Sequence, residues 1–319
     1  MDLSVIIPFF NEARNISVVF AELVQTLQDS KLSWEILAID DGSSDETFSL
    51  LKEEAKQRNH IKVVRLRKNF GQTAALSAGF DSAEGEVIIT MDGDLQNDPK
   101  DIPALVAKIK EGYDIVSGWR EKRKDPFFSR RLPSLIANKM ISWVTGVKLH
   151  DYGCTLKAFK KEVAKHIRLY GEMHRFIPAI ASWMGVTIAE IPVNHRARKF
   201  GRSKYGISRT IRVLLDLITV KFLLTYSTRP IHVFGLWGIL SGLAGLGLAC
   251  YLTVQRLFFA IPLANRPILL LAVLLIFIGI QFISMGLLGE LQVRTYHESQ
   301  GKPIYYIKEI VEPEKETPY

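Results

Sequence analysis

The chain has 319 residues and a formal net charge of +8, from 41 lysines and arginines against 33 aspartates and glutamates. This length is enough for the core of one large domain or two modest ones, which excludes a peptide hormone or a small disulfide-stabilised protein. The charge is unevenly distributed: residues 1–119 carry −8, residues 120–212 carry +15 and residues 213–319 carry +1. Such a polarity indicates a site where carboxylates hold a cation, next to a surface that binds phosphates, lipid head groups or nucleic acid.

The two cysteines, Cys154 and Cys250, lie far apart in the chain, and Cys250 falls inside an apolar run. This pattern gives no disulfide framework and fits a reducing compartment. The first residues, MDLSVIIPFFNE, lack the basic start and the long apolar run of a secretory signal. We therefore expect the first domain to remain in the cytosol.

The first 120 residues alternate between predicted strands and predicted helices. Five short apolar runs bounded by turn residues predict strands, namely Leu3–Pro8, Trp34–Asp40, Lys62–Leu66, Glu86–Asp92 and Asp114–Ser117. Between them lie stretches with helical periodicity that begin near Glu12, Asp45, Gln72 and Pro99. Strict alternation predicts an α/β fold with a mainly parallel sheet covered by helices on both faces.

Parallel sheets of this kind bind ligands at the carboxyl ends of their strands. In this chain those ends carry polar residues: Pro8 to Glu12 after the first strand, Asp40 and Asp41 after the second, and Asp92 to Asp94 after the fourth. Neither a G-x-G-x-x-G sequence after the first strand nor a G-x-x-x-x-G-K-[ST] sequence is present. Their absence argues against a dinucleotide-binding fingerprint and against a P-loop.

Asp92 and Asp94 are separated by one glycine at a strand end, so an extended backbone would point both carboxylates to the same side. Such a pair is suited to Mg²⁺ or Mn²⁺ bridging a diphosphate. A D-x-D sequence alone is a weak signal, but the second acidic pair, Asp40 and Asp41, strengthens it. Asp41 could accept hydrogen bonds from a base or ribose, whereas the residues that follow it are typical helix caps.

Arginine and lysine dominate the segment after the fifth strand. It contains Gly118-Trp119-Arg120, then Arg130 and Arg131, and later the sequence RARKFGRSKYG, which includes Arg202, Ser203 and Lys204. Arginine forks match phosphate oxygens, and the flanking glycines indicate a loop that could close on a diphosphate. A solvated or membrane-facing run of charges is the alternative.

Asp151 is an acidic residue embedded in this basic segment, in the sequence His150-Asp151-Tyr152-Gly153-Cys154. Its carboxylate could orient or deprotonate an acceptor, or it could form an ion pair with one of its basic neighbours. Cys154 is expected to pack rather than react.

The C-terminal part predicts a membrane hairpin. No charged residue occurs from His232 to Gln255 or from Pro267 to Gly289, and each run exceeds the roughly 20 residues that cross a bilayer core. Basic residues flank both runs and are sparser in the connecting loop, so the positive-inside rule places both chain termini in the cytoplasm. Apolar residues spaced by three or four upstream of the first run indicate an amphipathic helix on the inner leaflet, or one packed against the preceding domain: Ile207, Ile211, Leu214, Ile218 and Phe222.

Seven blocks occur in an order that resembles a known family: VIIPFFNE, IDDGSSDET, NFGQTAALSAGF, MDGDLQNDP, SGWR, DYGC and GRSKYG. The chain is similar to the family 2 glycosyltransferases that charge a polyprenyl phosphate with one sugar. This group contains dolichyl-phosphate mannose synthase, bacterial undecaprenyl-phosphate glucosyltransferases and the aminoarabinose transferase of lipid A modification. The resemblance runs from about residue 3 to residue 290.

This resemblance implies a GT-A fold, a nucleotide-sugar donor, Mg²⁺ or Mn²⁺, a polyprenyl-phosphate acceptor and inversion at the anomeric carbon. By motif, Asp92 and Asp94 would hold the metal and diphosphate, and Asp151 would face the acceptor. The donor would be bound by Pro8, Asn11, Glu12, Asp40, Asp41, Asp92, Gln96 and Arg120. Donor or acceptor phosphates would be contacted by Arg131, Arg202, Ser203 and Lys204. Gly93 stands where relatives often have alanine, a difference expected to matter little.

We therefore expect a catalytic domain over residues 1–205, interfacial helices over 206–229, two membrane spans within 230–290 (about 231–256 and 267–289) and a cytoplasmic tail over 291–319. The expected location is the bacterial inner membrane, and glycine-rich membrane faces suggest a homo-oligomer. The favoured donor is UDP-glucose, with other UDP-sugars or GDP-mannose as competitors. The alternatives are a processive polysaccharide synthase, a non-catalytic membrane scaffold and a nucleic-acid binder, and the last of these would not explain the membrane tail.

Overall fold

The computed structural model describes residues 1–121, 138–139, 141–143, 145–169, 171, 173–197 and 304–313, together with scattered positions between 218 and 299. The described elements follow one another as strands and helices. The strands are β1 (Leu3–Phe9), β2 (Trp34–Asp40), β3 (Ile61–Leu66), β4 (Val87–Thr90), β5 (Ile115–Trp119), β6 (Lys157–Lys160), β7 (Ile188–Pro192) and β8 (Ile307–Val311). The α-helices are α1 (Ile16–Gln28), α2 (Thr47–Gln57), α3 (Gln72–Ser82), α4 (Ile102–Lys110), α5 (Lys161–His166) and α6 (Ile177–Ser182).

The strands form one sheet in the order β7-β5-β6-β4-β1-β2-β3-β8. β1 pairs in parallel with β2 and β4, β2 with β3, and β5 with β7. β6 lies antiparallel between β4 and β5, and β8 lies antiparallel on β3. The sheet is therefore mainly parallel, as the alternation of strands and helices predicted.

Burial explains why the central strands form. Every residue of β2 is buried and so is nearly all of β1, because helices cover both faces of the sheet. α1 contributes an apolar stripe at helical spacing, which packs into the same core as the β1 and β2 side chains: Ile16, Val19, Phe20, Leu23 and Leu27. This packing fixes the positions of the strand ends. The polar residues that follow the strands are therefore held in place as well.

The five predicted strands and four predicted helices are confirmed, with boundaries that differ by a few residues. The first and fourth helices each begin after a short 3₁₀ turn, at Ala13–Asn15 and at Pro99–Asp101. β6 and β7 were not predicted. Both are short, and β6 has the sequence KAFK, whose lysines obscure its burial.

β8 is a further strand that the sequence did not predict. Residues 291–319 were expected to form a cytoplasmic tail, and within this stretch residues 307–311 form an edge strand of the same sheet as the N-terminal strands. One compact unit accordingly contains residues 1–217 and 303–319. The chain leaves this unit after residue 217 and returns to it at residue 303.

The second compact unit comprises residues 218–302. The first predicted span, 231–256, lies outside the described residues, and only isolated positions of 267–289 and of the predicted interfacial segment 206–229 are described. Within the described part of the chain, no helix combines the length and the apolar character needed to cross a membrane. The hairpin and the interfacial helix stay predictions.

Candidate active site

The candidate site lies at the edge of the sheet where β1, β2, β4 and β5 end. β1 pairs with β2 up to Phe9 and Asp40, and with β4 up to Ile6 and Thr90, so the loops that follow these strands emerge at one edge. The sheet thus brings together the acidic residues that the sequence places after separate strands.

Asp92 and Asp94 follow β4, and both are fixed by neighbours. Gln72 Nε2, at the start of α3, donates to Asp92 Oδ1 at 2.8 Å, and the Asp92 N–H donates to Asn97 Oδ1 at 3.0 Å. Asp94 is 7% exposed and its Oδ1 accepts the N–H of Gln96 at 3.1 Å. The predicted contribution of Gln96 beside this pair is therefore a backbone hydrogen bond.

The chemistry of this carboxylate pair suits a divalent cation. Burial, and then the negative charge of Asp94, raise the pKa of the Asp92 carboxyl. A bound cation would compensate both effects. One or two carboxylates together with substrate phosphates are a usual ligand set for Mg²⁺. In the described residues no group of three or more His, Cys, Asp or Glu side chains has the arrangement of a metal site.

Asp41 organises a loop at this edge. Its two oxygens accept the N–H groups of Phe70 and Gly71 at 2.8 and 2.9 Å. Gly42 beside it has φ +67°, and a Cβ there would come within 2.3 Å of the Lys68 backbone. Burial raises the pKa of Asp41 to about 6. Residues 67–71, which we call the donor loop, are thus fastened to the end of β2.

Asp40 is held by contacts within the protein. Its carboxylate is fully buried, pairs with Arg65 of β3 at 3.2 Å and accepts the N–H of Ser43 at 3.1 Å. These contacts hold the turn after β2. In this structure Asp40 thus supports the loop that carries Asp41, and its role in donor binding stays a prediction.

The loop after β1 is tied to the loop after β2. Asn11 has φ +55°, its N–H donates to Ser43 Oγ at 3.0 Å and its Oδ1 accepts the N–H of Ser44 at 2.9 Å. The Glu12 N–H donates to Thr47 Oγ1 at 2.9 Å. Pro8 is half-buried, one residue before the end of β1. These predicted donor-binding residues therefore form one connected rim with Asp41.

Asp151 and Arg120 form a buried ion pair. Arg120 Nε and Nη2 donate to the two oxygens of Asp151 at 2.6 and 3.0 Å. Burial opposes the charge of Arg120, yet the hydrogen bonds and negative charge of Asp151 raise the pKa of the guanidinium. Glu190 of β7 accepts the Asp151 N–H at 2.9 Å and so holds the turn. Of the two expectations for Asp151, the structure shows the ion pair.

Lys157 is a buried cation that the sequence did not single out. It is 2% exposed, and its Nζ donates to the carbonyl oxygens of Cys154 and Tyr152. Burial lowers the pKa of Lys157, and the charge of Asp151 opposes that change. Lys157 therefore fastens the turn that carries Asp151. Its position in the short strand β6 could have been found only by recognising that strand.

Gly93 corrects another expectation. An added Cβ at Gly93 would come within 2.5 Å of the Phe9 ring, which is buried and stacks on Phe20. The difference from relatives with alanine was expected to matter little, because the position would contribute mainly backbone. In this chain the space beside Gly93 is filled by an aromatic ring.

Four predicted phosphate-binding residues, Arg131, Arg202, Ser203 and Lys204, lie outside the described residues. Sequence analysis did not identify four residues that position site residues, namely Gln72, Asn97, Lys157 and Glu190. Gln72 and Asn97 do lie inside two of the sequence blocks that carry the family resemblance, which was the available signal for them.

Comparison with known proteins agrees with this geometry. Residues 4–168 match Glycosyl transferase family 2. The chain is 41% identical to dodecaprenyl-phosphate galacturonate synthase of Rhizobium johnstonii, over 99% of this chain and 95% of that protein.

Solved structures of similar fold include glucosyl-3-phosphoglycerate synthase from Mycobacterium tuberculosis in complex with Mn²⁺ and UDP-glucose. Its TM-score is 0.56 at 17% identity, covering 70% of this chain and 78% of that one. The complex of the same enzyme with Mn²⁺, UDP and glucosyl-3-phosphoglycerate gives a TM-score of 0.55, also at 17% identity, covering 70% and 79% of the two chains. The predicted GT-A fold is confirmed. The family resemblance drawn from the sequence blocks is confirmed as well: this chain belongs to glycosyl transferase family 2 and is a glycosyltransferase.

Proposed function

We propose that the protein transfers one sugar from a nucleotide-sugar donor to a polyprenyl phosphate. The observation that carries this proposal is the carboxylate pair Asp92 and Asp94 after β4, in a chain that is 41% identical over nearly its whole length to a polyprenyl-phosphate sugar synthase. The carboxylates and the rim formed by Asn11 and Asp41 supply a place for the donor.

Asp92 and Asp94 would hold Mg²⁺ or Mn²⁺, which when bound neutralises charge on the departing nucleoside diphosphate. Neighbours of the same fold carry Mn²⁺ in their structures, which supports this cofactor. Gln72 and Asn97 fix the orientation of Asp92 through its side chain and its N–H. Because these supports come from the start of α3 and from the loop after β4, the carboxylate is oriented before a donor arrives.

The reaction would be a direct displacement. A phosphate oxygen of the lipid forms a bond with the anomeric carbon while the bond from that carbon to the diphosphate oxygen breaks, and the configuration inverts. The phosphate nucleophile is already anionic near neutral pH, so strong base catalysis is unnecessary. Asp151 fits this scheme through its ion pair, since it fixes the guanidinium of Arg120 at the carboxyl end of β5.

The proposal also names the sugar that the donor carries. Similarity to a galacturonate synthase favours a galacturonic acid donor over the glucose donor expected from the sequence blocks. UDP-galacturonic acid is therefore the first donor to test, and UDP-glucose the second.

The proposed location is the cytoplasmic face of the bacterial inner membrane, with the uncharged runs 231–256 and 267–289 as anchors that keep the enzyme beside its lipid acceptor. A homo-oligomer is part of the same proposal, on the basis of the glycine spacing in the first run.

The test is transfer by the purified full chain. The enzyme is incubated with undecaprenyl phosphate, Mn²⁺ or Mg²⁺ and a panel of radiolabelled nucleotide sugars, and label that partitions into organic solvent is counted. We expect transfer with at least one UDP-sugar and its loss when the metal is chelated. Failure of every donor to label the lipid would contradict the proposal.

Asp94→Ala supplies the matching prediction. Removal of one of two ligands at the cation should lower transfer by roughly a hundredfold or more at saturating donor and metal. Asp45→Ala is the control. Asp45 Oδ1 accepts the N–H of Thr47 at the start of α2, and loss of this hydrogen bond should cost about 1 kcal/mol of stability with little effect on rate. Equal rates for Asp94→Ala and the parent enzyme would exclude the assigned role.

A further inference from the structure

The residues that return from the second unit contact the donor loop, residues 67–71. β8 pairs antiparallel with β3 from Val63 to Leu66, and just beyond it the N–H of Arg67 donates to the carbonyl oxygen of Tyr306 at 2.9 Å. We call residues 304–311 the tail segment. Its hydrogen bonds continue from the sheet into the donor loop itself.

Two tyrosines of the tail segment fix its position. The Tyr305 side chain is buried, and its hydroxyl donates to Asp81 Oδ2 of α3 at 2.7 Å. Burial, together with this hydrogen bond to a carboxylate, raises the pKa of the Tyr305 hydroxyl. The ring of Tyr306 lies 6.4 Å from the ring of Phe70, centroid to centroid and tilted by 46°. This distance is within the range of attractive aromatic pairs.

Phe70 connects the tail segment to the site. The Asp41 carboxylate accepts hydrogen bonds from the N–H groups of Phe70 and Gly71. The next residue, Gln72, donates to Asp92. Contacts therefore run from Tyr306 through Phe70 to Asp41, and through the start of α3 to the carboxylate that would hold the metal.

Two separate parts of the chain contact the donor loop. Asp41 and Gly42 form the first, and the lack of a Cβ at Gly42 lets the Lys68 backbone approach closely. Tyr306 forms the second. Loops without such contacts open locally at low cost, so these two supports limit the conformations of this one.

We infer that the tail segment is a positioning element of the donor site, with Tyr306 as the positioning residue that holds the donor loop in its donor-binding conformation. This inference rests on the proposed function, because it assigns the donor to the rim around Asp41. The tail segment contacts neither the donor nor the reacting atoms in this scheme. Its loss should therefore weaken donor binding rather than the chemical step.

The test uses the full-length enzyme with three single substitutions. Tyr306→Ala removes the ring and leaves the backbone hydrogen bond to Arg67, while Tyr306→Phe retains the ring. Ile310→Ala is the matched control, because Ile310 is an exposed apolar residue of β8 in the same tail segment and pairs with Val64, away from the donor loop. Amide hydrogen exchange of residues 67–71, the dissociation constant of UDP with Mn²⁺, and KM and kcat for the donor are measured for each.

For Tyr306→Ala we expect faster exchange at Phe70 and Gly71, and a dissociation constant for UDP and a donor KM that are raised about three- to tenfold, with kcat within about twofold of the parent. Tyr306→Phe and Ile310→Ala should behave like the parent. Unchanged exchange and KM in Tyr306→Ala, or a fall in kcat alone, would overturn the inference. So would an equal effect of Ile310→Ala, which would indicate general weakening of the strand.

The exchange measurement separates this inference from the proposed function. If the parent enzyme bound no UDP and transferred no sugar, the proposed function would fail, and the donor role of the tail segment would fail with it. Faster exchange in Tyr306→Ala would then still show that the tail segment holds the loop. If the parent were active and Tyr306→Ala exchanged and bound UDP like it, the inference alone would fail.

Discussion

The ion pair between Arg120 and Asp151 limits what the Asp151 carboxylate can do in a reaction. Both side chains are largely buried, and both oxygens of Asp151 accept from the guanidinium. A carboxylate engaged in this way is a poor general base, because protonation would leave the arginine charge uncompensated. Its effect on the reaction should therefore pass through Arg120.

A double-mutant cycle tests this reading. Asp151→Asn and Arg120→Gln should each lower kcat/KM by roughly a hundredfold, since each removes the opposite charge that offsets the burial of the other group. The double variant should be no worse than the poorer single one. If the two effects multiplied, or if Asp151→Asn abolished transfer while Arg120→Gln did not, Asp151 would have a role of its own.

Asp41 gives a prediction for pH. Burial raises its pKa to about 6 in the folded protein, above its ordinary value of 3.8. The folded state therefore binds this proton more tightly than the unfolded state does. The contribution of Asp41 to stability falls as the pH rises from about 4 to about 6 and is constant above that.

The measurement is the free energy of unfolding of the parent enzyme and of Asp41→Asn between pH 4 and pH 8. Relative to the variant, the parent should lose up to about 3 kcal/mol of its free energy of unfolding as the pH rises through this window. The reason is that the pKa of Asp41 is about 2 higher in the folded protein than in the unfolded chain. Parallel curves, or a relative gain with rising pH, would show that Asp41 does not titrate in this way.

At the scale of the elements, the large side chain that ends β1 fits the space left by the glycine that follows β4. Phe9 ends β1 and fills the space beside Gly93, which follows β4. An alanine at residue 93 would force the ring to move, and a buried ring that stacks on Phe20 cannot move without disturbing its neighbours. The backbone between Asp92 and Asp94 would shift with it.

Gly93→Ala should therefore lower stability by about 1–3 kcal/mol and also reduce transfer. Phe9→Leu in the same chain should restore much of the lost activity, because the smaller side chain frees the space. Thermal unfolding and initial rates of both single variants and the double variant give the answer. A Gly93→Ala enzyme with parental stability and rate would mean that the ring adapts freely.

The same elements show what the sequence could predict. β1 to β5 and the helices between them are recognisable because continuous apolar runs and helical stripes are local patterns. β6 could not be recognised, since one of its two lysines, Lys157, is buried and a buried lysine looks like a surface residue in a sequence.

β8 follows two runs that read as membrane spans, so its residues looked like a free tail. Its pairing with β3 joins residues more than 200 positions apart, and no local pattern encodes that.

The sequence indicated the positions of residues that follow strands better than it indicated contacts between side chains. Asp92, Asp94 and Asp41 lie at one edge of the sheet, as expected, because the edge of a parallel sheet gathers the residues after its strands, and their roles stay predictions. The partners Gln72 and Asn97 depend on loop conformation, and the choice between base and ion pair for Asp151 depends on where Arg120 points. These are tertiary contacts that spacing does not specify.

For the whole molecule, β8 constrains how the chain can cross a membrane. β3 precedes the two uncharged runs and β8 follows them, yet the two strands are hydrogen-bonded in one sheet. A sheet cannot form across a bilayer, so the residues between them must cross an even number of times or not at all. An even number of crossings follows from the sheet without reference to loop charges, and it agrees with the orientation that the positive-inside rule predicts.

Cysteine labelling in intact cells tests this topology. In a background in which Cys154 and Cys250 are replaced by alanine, single cysteines are placed at Lys100, at Lys308 and at Asn265 between the two uncharged runs. A maleimide that cannot cross membranes should label Asn265→Cys in intact cells, and Lys100→Cys and Lys308→Cys only after lysis. Lys100 and Lys308 are exposed in the folded protein, so burial would not mask them. Labelling of Lys308→Cys in intact cells with Lys100→Cys protected would place β8 and β3 on opposite sides, and the sheet that joins them could not exist in the membrane-bound enzyme.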